Sequence, residues 1–343
     1  MKKFLSLNFG CRVNSAEINQ LSQSFIDQGF IPSKDQPDII LVNTCAITKK
    51  GEYESISKIK KLLIDYPKAT IIATGCADLS KITPTKNFQI YDKKNLPEKY
   101  THQIKDKFSH TNRYILRVQT GCTSFCSYCI VPTKRTTLWS MPLDQAVSLT
   151  NQAIQDGYQE IIITGINLNQ YTPGLSNLVE ALLTQTKISL ISFGSLPLLC
   201  IDDKLIDLFK NFEFRIKNFV HIPLQSGSDK ILKLMNRPYN QQKIISIIKN
   251  FKFQIKNLSL GTDIIVGFPN ETESDFQETY NLCQSIGFQK IHVFRYSPRP
   301  QTKAKEIFLN SPKISKEIIK ARSQKLRSLN GQTTLPSHQT PEN

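Results

Sequence analysis

Short apolar runs alternate with amphipathic stretches along most of this chain, and that alternation constrains its fold more than any other feature. Three apolar runs and two helical patterns occupy the first part of the chain, in the order 4–7, 15–28, 39–43, 50–64 and 70–74. Ser15 is a candidate N-cap of the first helix. A β-α-β-α-β order of this kind predicts a parallel sheet with helices on its faces.

A second and longer series of the same kind follows a polar stretch at 84–112, which reads as a linker or peripheral segment. Its predicted strands lie at 114–118, 161–164, 190–195, 219–222, 258–266 and 290–294. Its predicted helices lie at 144–156, 175–184, 202–210, 241–251, 272–286 and 313–329. Such a succession of βα units predicts a TIM-like, partial β/α barrel. The expected fold is therefore α/β, with a parallel-sheet domain at 1–105, a barrel domain at 108–335 and a disordered tail at 331–343.

Three cysteines lie within eight residues, in the run Cys122-Thr-Ser-Phe-Cys126-Ser-Tyr-Cys129, which we call the barrel triplet. Thiolates are the usual ligands of a [4Fe–4S] cluster, and a cluster held by three of them leaves one iron open to a group that is not protein. A structural zinc site would normally close with a fourth Cys or His, and the nearest downstream histidine is the distant His221. The spacing therefore favours an iron–sulfur cluster over zinc and over three incidental thiols.

A second set, Cys11, Cys45 and Cys76, is dispersed in sequence, and we call it the N-terminal triplet. Each of its members follows one of the three predicted strands of the first series. Since the carboxyl ends of parallel strands lie on one edge of a sheet, three βα loops bring the three thiols to one place. We expect a second three-cysteine [4Fe–4S] cluster there; the alternative is three buried thiols. Cys200 and Cys283 stand in apolar or helical contexts and are expected to be inert.

Charge and hydropathy restrict the partners and the compartment. The 44 Lys and Arg residues exceed the 28 Asp and Glu residues, for a formal net charge of +16. That excess suits RNA or DNA, although a lysine-rich surface is also a compositional habit of AT-rich genomes. No stretch approaches the ~20 apolar residues that span a membrane, and the start does not read as a signal peptide. We therefore predict a cytoplasmic protein without membrane contact, whose thiols stay reduced.

From residue 5 to about residue 304 the chain resembles the radical SAM methylthiotransferases, enzymes that install a methylthio group. The matching stretches are LNFGCRVNSAE, LVNTCAIT, ATGCAD, VQTGCTSFCSYCIVPTKR, IIITGINLNQY, VHIPLQSGSDKILKLMNR, GTDIIVGFPNETESDFQET and FRYSPRPQTKA. GCRVN and ITGINL resemble the branch that acts on N6-threonylcarbamoyladenosine at position 37 of tRNA. The branches that act on isopentenyladenosine and on an aspartate of a ribosomal protein usually read GCQMN and GCPKN, and both remain alternatives, as does another radical SAM reaction.

The resemblance implies the cofactors and the chemistry. The barrel triplet would hold a [4Fe–4S] cluster whose open iron binds S-adenosylmethionine (SAM), which is cleaved to a 5′-deoxyadenosyl radical that abstracts hydrogen from C2 of the substrate adenine. The N-terminal triplet would hold a second [4Fe–4S] cluster that presents methylated sulfur to the substrate. The implied partners are the tRNA anticodon stem-loop and a flavodoxin- or ferredoxin-like electron donor. We expect a monomer.

Loops after the predicted barrel strands are the expected SAM site, because such folds place active sites there. The candidate SAM-binding residues are Gly165, Asn167, Gln225, Ser226 and Gly267. For the two glycines and Asn167, the alternative is a role in shaping or capping a turn. His221, in an apolar strand, is expected to be a hydrogen-bonded core residue rather than a ligand.

RNA contacts are harder to assign from this sequence. The family typically ends in a small β-barrel RNA-binding domain, whereas here a helix and a polar tail lead to Asn343. We therefore expect tRNA to be held by the two predicted domains or by a separate partner, or else to bind weakly. Basic residues near the motifs could contact phosphates or be solvated charges, namely Arg117, Lys134, Arg135, Arg237, Arg295 and Arg299.

Overall fold

The structure of the protein, a computed structural model, describes residues 1–96 and 113–331. The first of these segments contains β1 (Lys3–Asn8), α1 (Arg12–Asp27), β2 (Ile31–Pro32), β3 (Ile39–Thr44), α2 (Lys49–Asp65), β4 (Thr70–Gly75) and β5 (Phe88–Ile90). Its strands form one parallel sheet in the order β2-β1-β3-β4-β5. The predicted parallel-sheet α/β fold of this N-terminal region is confirmed.

Both faces of this sheet are covered, which explains why its strands read as continuous apolar runs. Along β3, Ile40 and Val42 pack in the core beneath α2, whereas Leu41 packs on the opposite face beneath α1. All three side chains are fully buried. The alternation follows from the two-residue period of a strand, and here both faces are apolar.

One prediction for this region is wrong. The helix α1 begins at Arg12 with Cys11 as its N-cap, and Ser15 is a fully buried residue inside it rather than a cap. The strand β5 lies at the edge of the sheet, in the stretch predicted as a linker or peripheral segment, and it pairs with β4 through Ile71 and Phe88. The predicted boundary between residues 105 and 108, and all of the predicted tail after Gly331, lie outside the described residues.

The second described segment, which we call the barrel region, contains more elements. They are β6 (Arg113–Thr120), α3 (Val131–Lys134), β7 (Trp139–Ser140), α4 (Leu143–Gln155), β8 (Glu160–Gly165), α5 (Leu175–Gln185), β9 (Leu190–Phe193), α6 (Asp203–Asn211), β10 (Phe219–Gln225), α7 (Asp229–Leu234), α8 (Gln241–Gln254), β11 (Ser259–Val266), α9 (Glu273–Ile286), β12 (Lys290–Arg295), α10 (Lys303–Leu309) and α11 (Lys316–Arg327). The long strands and helices among them confirm the predicted series of βα units.

The strands of the barrel region form two sheets, β7-β6-β8-β9 and β10-β11-β12. A single parallel bridge between Ile191 and Ile216 joins them, and every pairing except that of β6 with β7 is parallel. Six parallel strands therefore follow one another as β6, β8, β9, β10, β11 and β12. The predicted partial β/α barrel is confirmed, and β6 and β12 do not pair within the described chain.

The inner face of the barrel differs in chemistry from its outer face. Along β12, Ile291 and Val293 are buried in the main core, whereas Lys290 and His292 are exposed and line an open cavity. The apolar core thus lies between the strands and the helices, and the inner face carries polar and charged groups. No helix in residues 1–96 or 113–331 is long and apolar enough to cross a membrane.

Candidate functional site

The N-terminal triplet converges at the carboxyl edge of the first sheet. Cys45 and Cys76 directly follow β3 and β4, and Cys11 follows the neighbouring strand β1. The three cysteines line one small pocket together with Ile130 and Val131, which directly follow the barrel triplet in sequence. The convergence that the sequence predicted from strand order is therefore present, and it faces the loop of the other triplet.

Local hydrogen bonds fix two of these cysteines, one through its thiol and one through its backbone. The Cys11 thiol donates to Asn14 Oδ1 over 3.1 Å, and Asn14 Nδ2 in turn donates to the carbonyl oxygen of Thr44 over 2.9 Å. The backbone N–H of Cys76 donates to the same carbonyl oxygen over 3.1 Å. Gly75 turns the chain into Cys76 with φ +108°, and a Cβ there would lie 2.4 Å from the Thr44 oxygen. A glycine is therefore required at this turn.

The barrel triplet lies in the loop between β6 and α3. Two side chains from other loops donate hydrogen bonds to its sulfur atoms: Asn167 Nδ2 to Cys122 Sγ over 3.5 Å, and Arg237 Nη1 to Cys126 Sγ over 3.4 Å. Ser127 ties the loop to α7, because its hydroxyl donates to the carbonyl oxygen of Leu234 over 2.7 Å. The loop is thus held from two sides before any cofactor is considered.

Neither triplet is arranged for a single metal ion. Within the described chain, one group of three His, Cys, Asp or Glu side chains has all its ligand atoms within 4.8 Å of one another, and that group is His221, Asp263 and His292. The sulfur atoms of each triplet are therefore more widely spread. A [4Fe–4S] cluster binds its thiolates through different irons, so three convergent but separated thiols fit a cluster better than one zinc ion.

A buried arginine donates a hydrogen bond to one thiol of the N-terminal triplet. Arg135 Nε donates to Cys76 Sγ over 3.3 Å, and both of its terminal nitrogens bind the Glu17 carboxylate, with Nη2 at 2.9 Å from Oε2. The side chains of this pair are each only 2% exposed. Burial alone would raise the pKa of Glu17, but the Arg135 guanidinium overrides it and lowers that pKa to about 2. The pair therefore stays charged and aims a cationic donor at the sulfur.

One thiol in each triplet is hard to ionise. Burial raises the pKa of Cys129 to about 12, and burial likewise raises the pKa of Cys11. Both thiols therefore keep their protons at neutral pH in the absence of metal. Because metal ligation requires thiolates, cofactor assembly at either triplet must release protons.

Contacts between the two regions hold the triplets against each other. The Glu17–Arg135 pair joins α1 to the segment after α3, and a second buried pair joins Glu52 of α2 to Arg299, with Oε2 and Nη2 2.5 Å apart. Lys93 Nζ adds bonds to the carbonyl oxygens of Gly75 (3.0 Å) and Lys134 (2.9 Å). The arrangement of the two triplets is thus built into a charged and buried interface.

Two of the five predicted SAM-binding residues lie beside the barrel triplet. Asn167 bonds to Cys122 and to Ser124 Oγ (2.9 Å), and its backbone N–H donates to Gln119 Oε1 over 2.8 Å. It also caps the following turn, which was the alternative prediction for Asn167. Gly165 ends β8, and a Cβ there would lie 2.8 Å from Leu168 Cδ2. In this structure Asn167 positions the cysteine loop, and Gly165 allows close packing beneath it.

The other three predicted SAM-binding residues end strands further along the barrel. Ser226 is buried, with its hydroxyl 3.2 Å from Thr279 Oγ1, and Gln225 ends β10 with φ +76°. Gly267 follows β11 with φ +73°, and a Cβ there would lie 2.7 Å from the Cδ1 atom of Ile319 on α11. Their contacts with SAM stay a prediction, and the contacts present in the structure shape turns and packing.

Four of the six basic residues proposed for phosphate contact are engaged inside the protein. Arg135 and Arg299 form the buried pairs described above, and Arg237 bonds to Cys126 and to Tyr239 Oη. The Arg117 guanidinium is buried and lies 4.8 Å from the Trp139 ring centroid. The solvated-charge prediction is wrong for Arg117, Arg135 and Arg299, because tertiary contacts bury their side chains. Phosphate contact by these four arginines stays a prediction.

Sequence reasoning missed several groups that the structure brings to the site. Glu17 and Asn14 lie inside α1 and have no motif of their own, although both follow Cys11 closely. Asp263 and His292 stand in apolar strands, and with His221 they form the group of potential ligands noted above. His221 Nε2 lies 2.8 Å from Asp263 Oδ1, which agrees with its predicted hydrogen-bonded role.

Comparisons with known proteins agree with this geometry. The profile of the Radical SAM superfamily matches residues 116–283, and that of the Uncharacterized protein family UPF0004 matches residues 3–90. The fold is shared with a radical SAM methyltransferase, TsrM from Kitasatospora setae (TM-score 0.62, 11% identity, 89% of this chain and 77% of that one). It is also shared with the cobalamin-dependent SAM radical enzyme OxsB (TM-score 0.54, 14% identity, 96% and 57%). The fold and the barrel triplet thus define a radical SAM enzyme.

Curated relatives narrow the class. The threonylcarbamoyladenosine tRNA methylthiotransferase MtaB of Aquifex aeolicus is 31% identical over 93% of this chain and 86% of its own length. The tRNA-2-methylthio-N(6)-dimethylallyladenosine synthase of Pelagibacter ubique is 29% identical over 95% of this chain and 82% of its own length. The chain belongs to the radical SAM methylthiotransferase family, and it is an enzyme of sulfur and methyl transfer. That membership implies SAM and a [4Fe–4S] cluster as cofactors.

Proposed function

We propose that this enzyme transfers a methylthio group to C2 of N6-threonylcarbamoyladenosine at position 37 of tRNA. The observation that carries the proposal is the meeting of the two triplets, since the N-terminal triplet shares its pocket with Ile130 and Val131, next to Cys129. The substrate follows from the motifs GCRVN and ITGINL and from the activity named for the Aquifex aeolicus relative. The net charge of +16 suits a tRNA partner.

We further propose two [4Fe–4S] clusters, one on Cys122, Cys126 and Cys129 and the other on Cys11, Cys45 and Cys76. When bound, these clusters and SAM supply the one-electron and sulfur chemistry, which no side chain can perform. Three thiols at each place leave one coordination position for SAM at the barrel triplet and one for sulfur at the N-terminal triplet. The pocket that the N-terminal triplet shares with Ile130 and Val131 supports this proposal.

The protein's own side chains orient the sulfur atoms of both triplets and shield them from water. Asn167 and Arg237 hold two sulfur atoms of the barrel triplet, and Arg135 holds one of the N-terminal triplet. Ile130, Val131 and Ile166 line the pocket of the N-terminal triplet with apolar side chains, which would disfavour water there. We place SAM at the carboxyl ends of the barrel strands, with Gly165, Asn167, Gln225, Ser226 and Gly267 as its candidate contacts.

The remaining parts of the proposal concern partners and compartment. A flavodoxin- or ferredoxin-like protein would deliver electrons to the barrel triplet's cluster, and the enzyme would act as a monomer in the cytoplasm. The reducing cytoplasm fits the eight free cysteines of the chain.

One alternative substrate has a specific observation in its favour. Besides the Pelagibacter ubique relative, the Thermodesulfovibrio yellowstonii protein of 30% identity also carries the name tRNA-2-methylthio-N(6)-dimethylallyladenosine synthase. Isopentenyladenosine in tRNA is therefore the second candidate.

A product assay distinguishes these substrates. The protein is reconstituted anaerobically with iron and sulfide and incubated with SAM, dithionite and anticodon stem-loop RNAs bearing N6-threonylcarbamoyladenosine, isopentenyladenosine or adenosine at position 37. The RNA is then digested, and its nucleosides are measured by mass spectrometry. We expect the 2-methylthio product from the threonylcarbamoyl RNA alone. Product from the isopentenyl RNA alone would replace the proposed substrate, and SAM cleavage without methylthio product on any RNA would overturn the proposal.

A further inference from the structure

An open cavity runs from the first turn of α1 along the inner face of the barrel. Its lining includes Arg113, Glu160 and Lys290, each the first residue of a barrel strand. It also reaches Arg12 and Gly194, which follow Cys11 and the carboxyl end of β9. The cavity therefore extends from the side of the N-terminal triplet into the depth of the barrel.

Positive charge is in excess in this cavity. Its lining carries four basic side chains, Arg12, Arg113, Lys217 and Lys290, against the two carboxylates of Glu160 and Asp263. Both carboxylates are already engaged by described neighbours. Glu160 Oε1 lies 2.6 Å from Ser192 Oγ and 3.3 Å from Lys217 Nζ, and Asp263 Oδ1 lies 2.8 Å from His221 Nε2.

The same charge balance disfavours a cation. His221, Asp263 and His292 present their ligand atoms within 4.8 Å of one another, as a metal site would require. However, Lys290 stands on the same face of β12, two residues from His292, and the arginines line the same cavity. A divalent ion would be repelled by these groups, whereas an anion would be attracted.

Arg12 is the side chain best placed to bind an anion in this cavity. Its Nη1 donates to the carbonyl oxygen of Gly194 over 2.9 Å, which anchors the guanidinium across the two regions. A guanidinium has five N–H donors in a planar fork that matches a carboxylate. Arg113 lines the same cavity and carries a second positive charge. An anion between these two arginines would relieve their mutual repulsion.

We propose that this cavity binds the carboxylate of the substrate's threonylcarbamoyl group, with Arg12 as its principal contact and Lys290 as a second. This inference rests on the proposed function and adds the means by which the modified nucleoside is distinguished from neutral ones. An RNA phosphate offers the same oxyanion chemistry. The cavity's place on the inner face of the barrel, beside Cys11, favours the group that travels with the base over the backbone.

Binding measurements test this inference without loaded clusters. Fluorescence anisotropy with labelled stem-loop RNAs compares threonylcarbamoyladenosine with adenosine at position 37, for the wild type, Arg12→Gln, Lys290→Gln and the exposed control Lys60→Gln. We expect the wild type to prefer the threonylcarbamoyl RNA by about tenfold to a hundredfold, as one charge-assisted carboxylate contact provides. Arg12→Gln should remove most of that preference, Lys290→Gln part of it and Lys60→Gln none, with affinity for the adenosine RNA unchanged.

Three outcomes overturn the inference. In the first, Arg12→Gln keeps the full preference. In the second, the variant weakens binding to both RNAs equally and lowers the salt dependence by about one phosphate contact, which would assign Arg12 to the backbone. In the third, the wild type produces methylthio nucleoside from the threonylcarbamoyl RNA without binding it more tightly, which leaves the proposed function standing. If Arg12→Gln does not fold, Lys290→Gln on the exposed start of β12 supplies the same comparison.

Discussion

Each of the two cysteine triplets presents three thiols, but the two are assembled in different ways. The barrel triplet lies within eight residues of one loop, so its geometry is largely local. The N-terminal triplet is assembled from loops after β1, β3 and β4, so it exists only once the sheet has formed. Each triplet receives a hydrogen bond from an arginine, but Arg135 comes from the other region of the molecule, whereas Arg237 lies in the same region as its partner Cys126. A site built from distant loops depends on how the regions pack.

The largest expected difference between the triplets is in iron content and chemistry. Wild-type protein should bind about eight irons after anaerobic reconstitution, and alanine at all three positions of either triplet should leave about four, because each [4Fe–4S] cluster contains four irons. The barrel-triplet variant should lose SAM cleavage, and the N-terminal variant should keep it while losing methylthio product. Iron assay and chromatography of 5′-deoxyadenosine measure these outcomes.

The matched control for that experiment is Cys200→Ala with Cys283→Ala, which removes two buried thiols outside both triplets. It should keep about eight irons, the content of two [4Fe–4S] clusters. A wild type with about four irons, lost only with the barrel triplet, would contradict the two-cluster proposal.

The next prediction concerns the dependence of the N-terminal triplet on packing. Glu17→Gln leaves the Arg135 charge buried without its partner, which should lower the free energy of unfolding by about 3–5 kcal/mol. Urea denaturation measures this loss. After reconstitution the variant should lose iron from the N-terminal triplet and retain it at the barrel triplet.

Glu54→Gln is the matched control, since Glu54 pairs with Lys50 on the surface of α2 and its side chain is 59% exposed. It should change stability by less than about 0.5 kcal/mol. Equal losses from the two substitutions would show that the buried pair does not couple the regions.

A smaller effect is expected in the pH dependence of stability. The pKa of Glu17 is about 2 in the folded protein and near 4.5 when unfolded, so its pair contributes fully above about pH 4.5. That contribution should disappear as pH falls from 4.5 towards 2. The measurement is the free energy of unfolding of the wild type and of Glu17→Gln across this pH range. The difference between the two should become smaller as pH falls. A gap that is constant with pH would contradict the assigned pair.

The smallest predicted effect is on redox potential. Arg237→Gln replaces a cationic donor to Cys126 with a neutral side chain, so the more negative reduced cluster loses stabilisation. The midpoint potential of that cluster should become more negative by about 20–60 mV, equivalent to one ordinary hydrogen bond. Redox titration followed by EPR measures it in the N-terminal triple-alanine background, where one cluster remains. A shift towards positive potential would contradict this role.

Much of the fold was predictable because its long elements carry a clear period. The strands β6 to β12 other than β7 were all located from apolar runs, as were the long helices. The short elements β2, β5, β7, α3, α7 and α10 were missed, since two to seven residues carry too little periodic signal and their structure depends on neighbours. The cap of α1 was misplaced because Ser15 is buried by packing against the sheet.

Sequence alone determined the proposed metal ligands of this protein, six cysteines divided into one compact and one dispersed triplet, and the α/β order that predicts where the dispersed triplet meets. Only the tertiary structure decided which charges serve those cysteines. Glu17 and Arg135 are 118 residues apart, and nothing in their local patterns indicates that they pair beside Cys76. Spacing along the chain fixes local geometry, whereas the burial and pairing of a charge depend on surfaces that come together only when both regions pack.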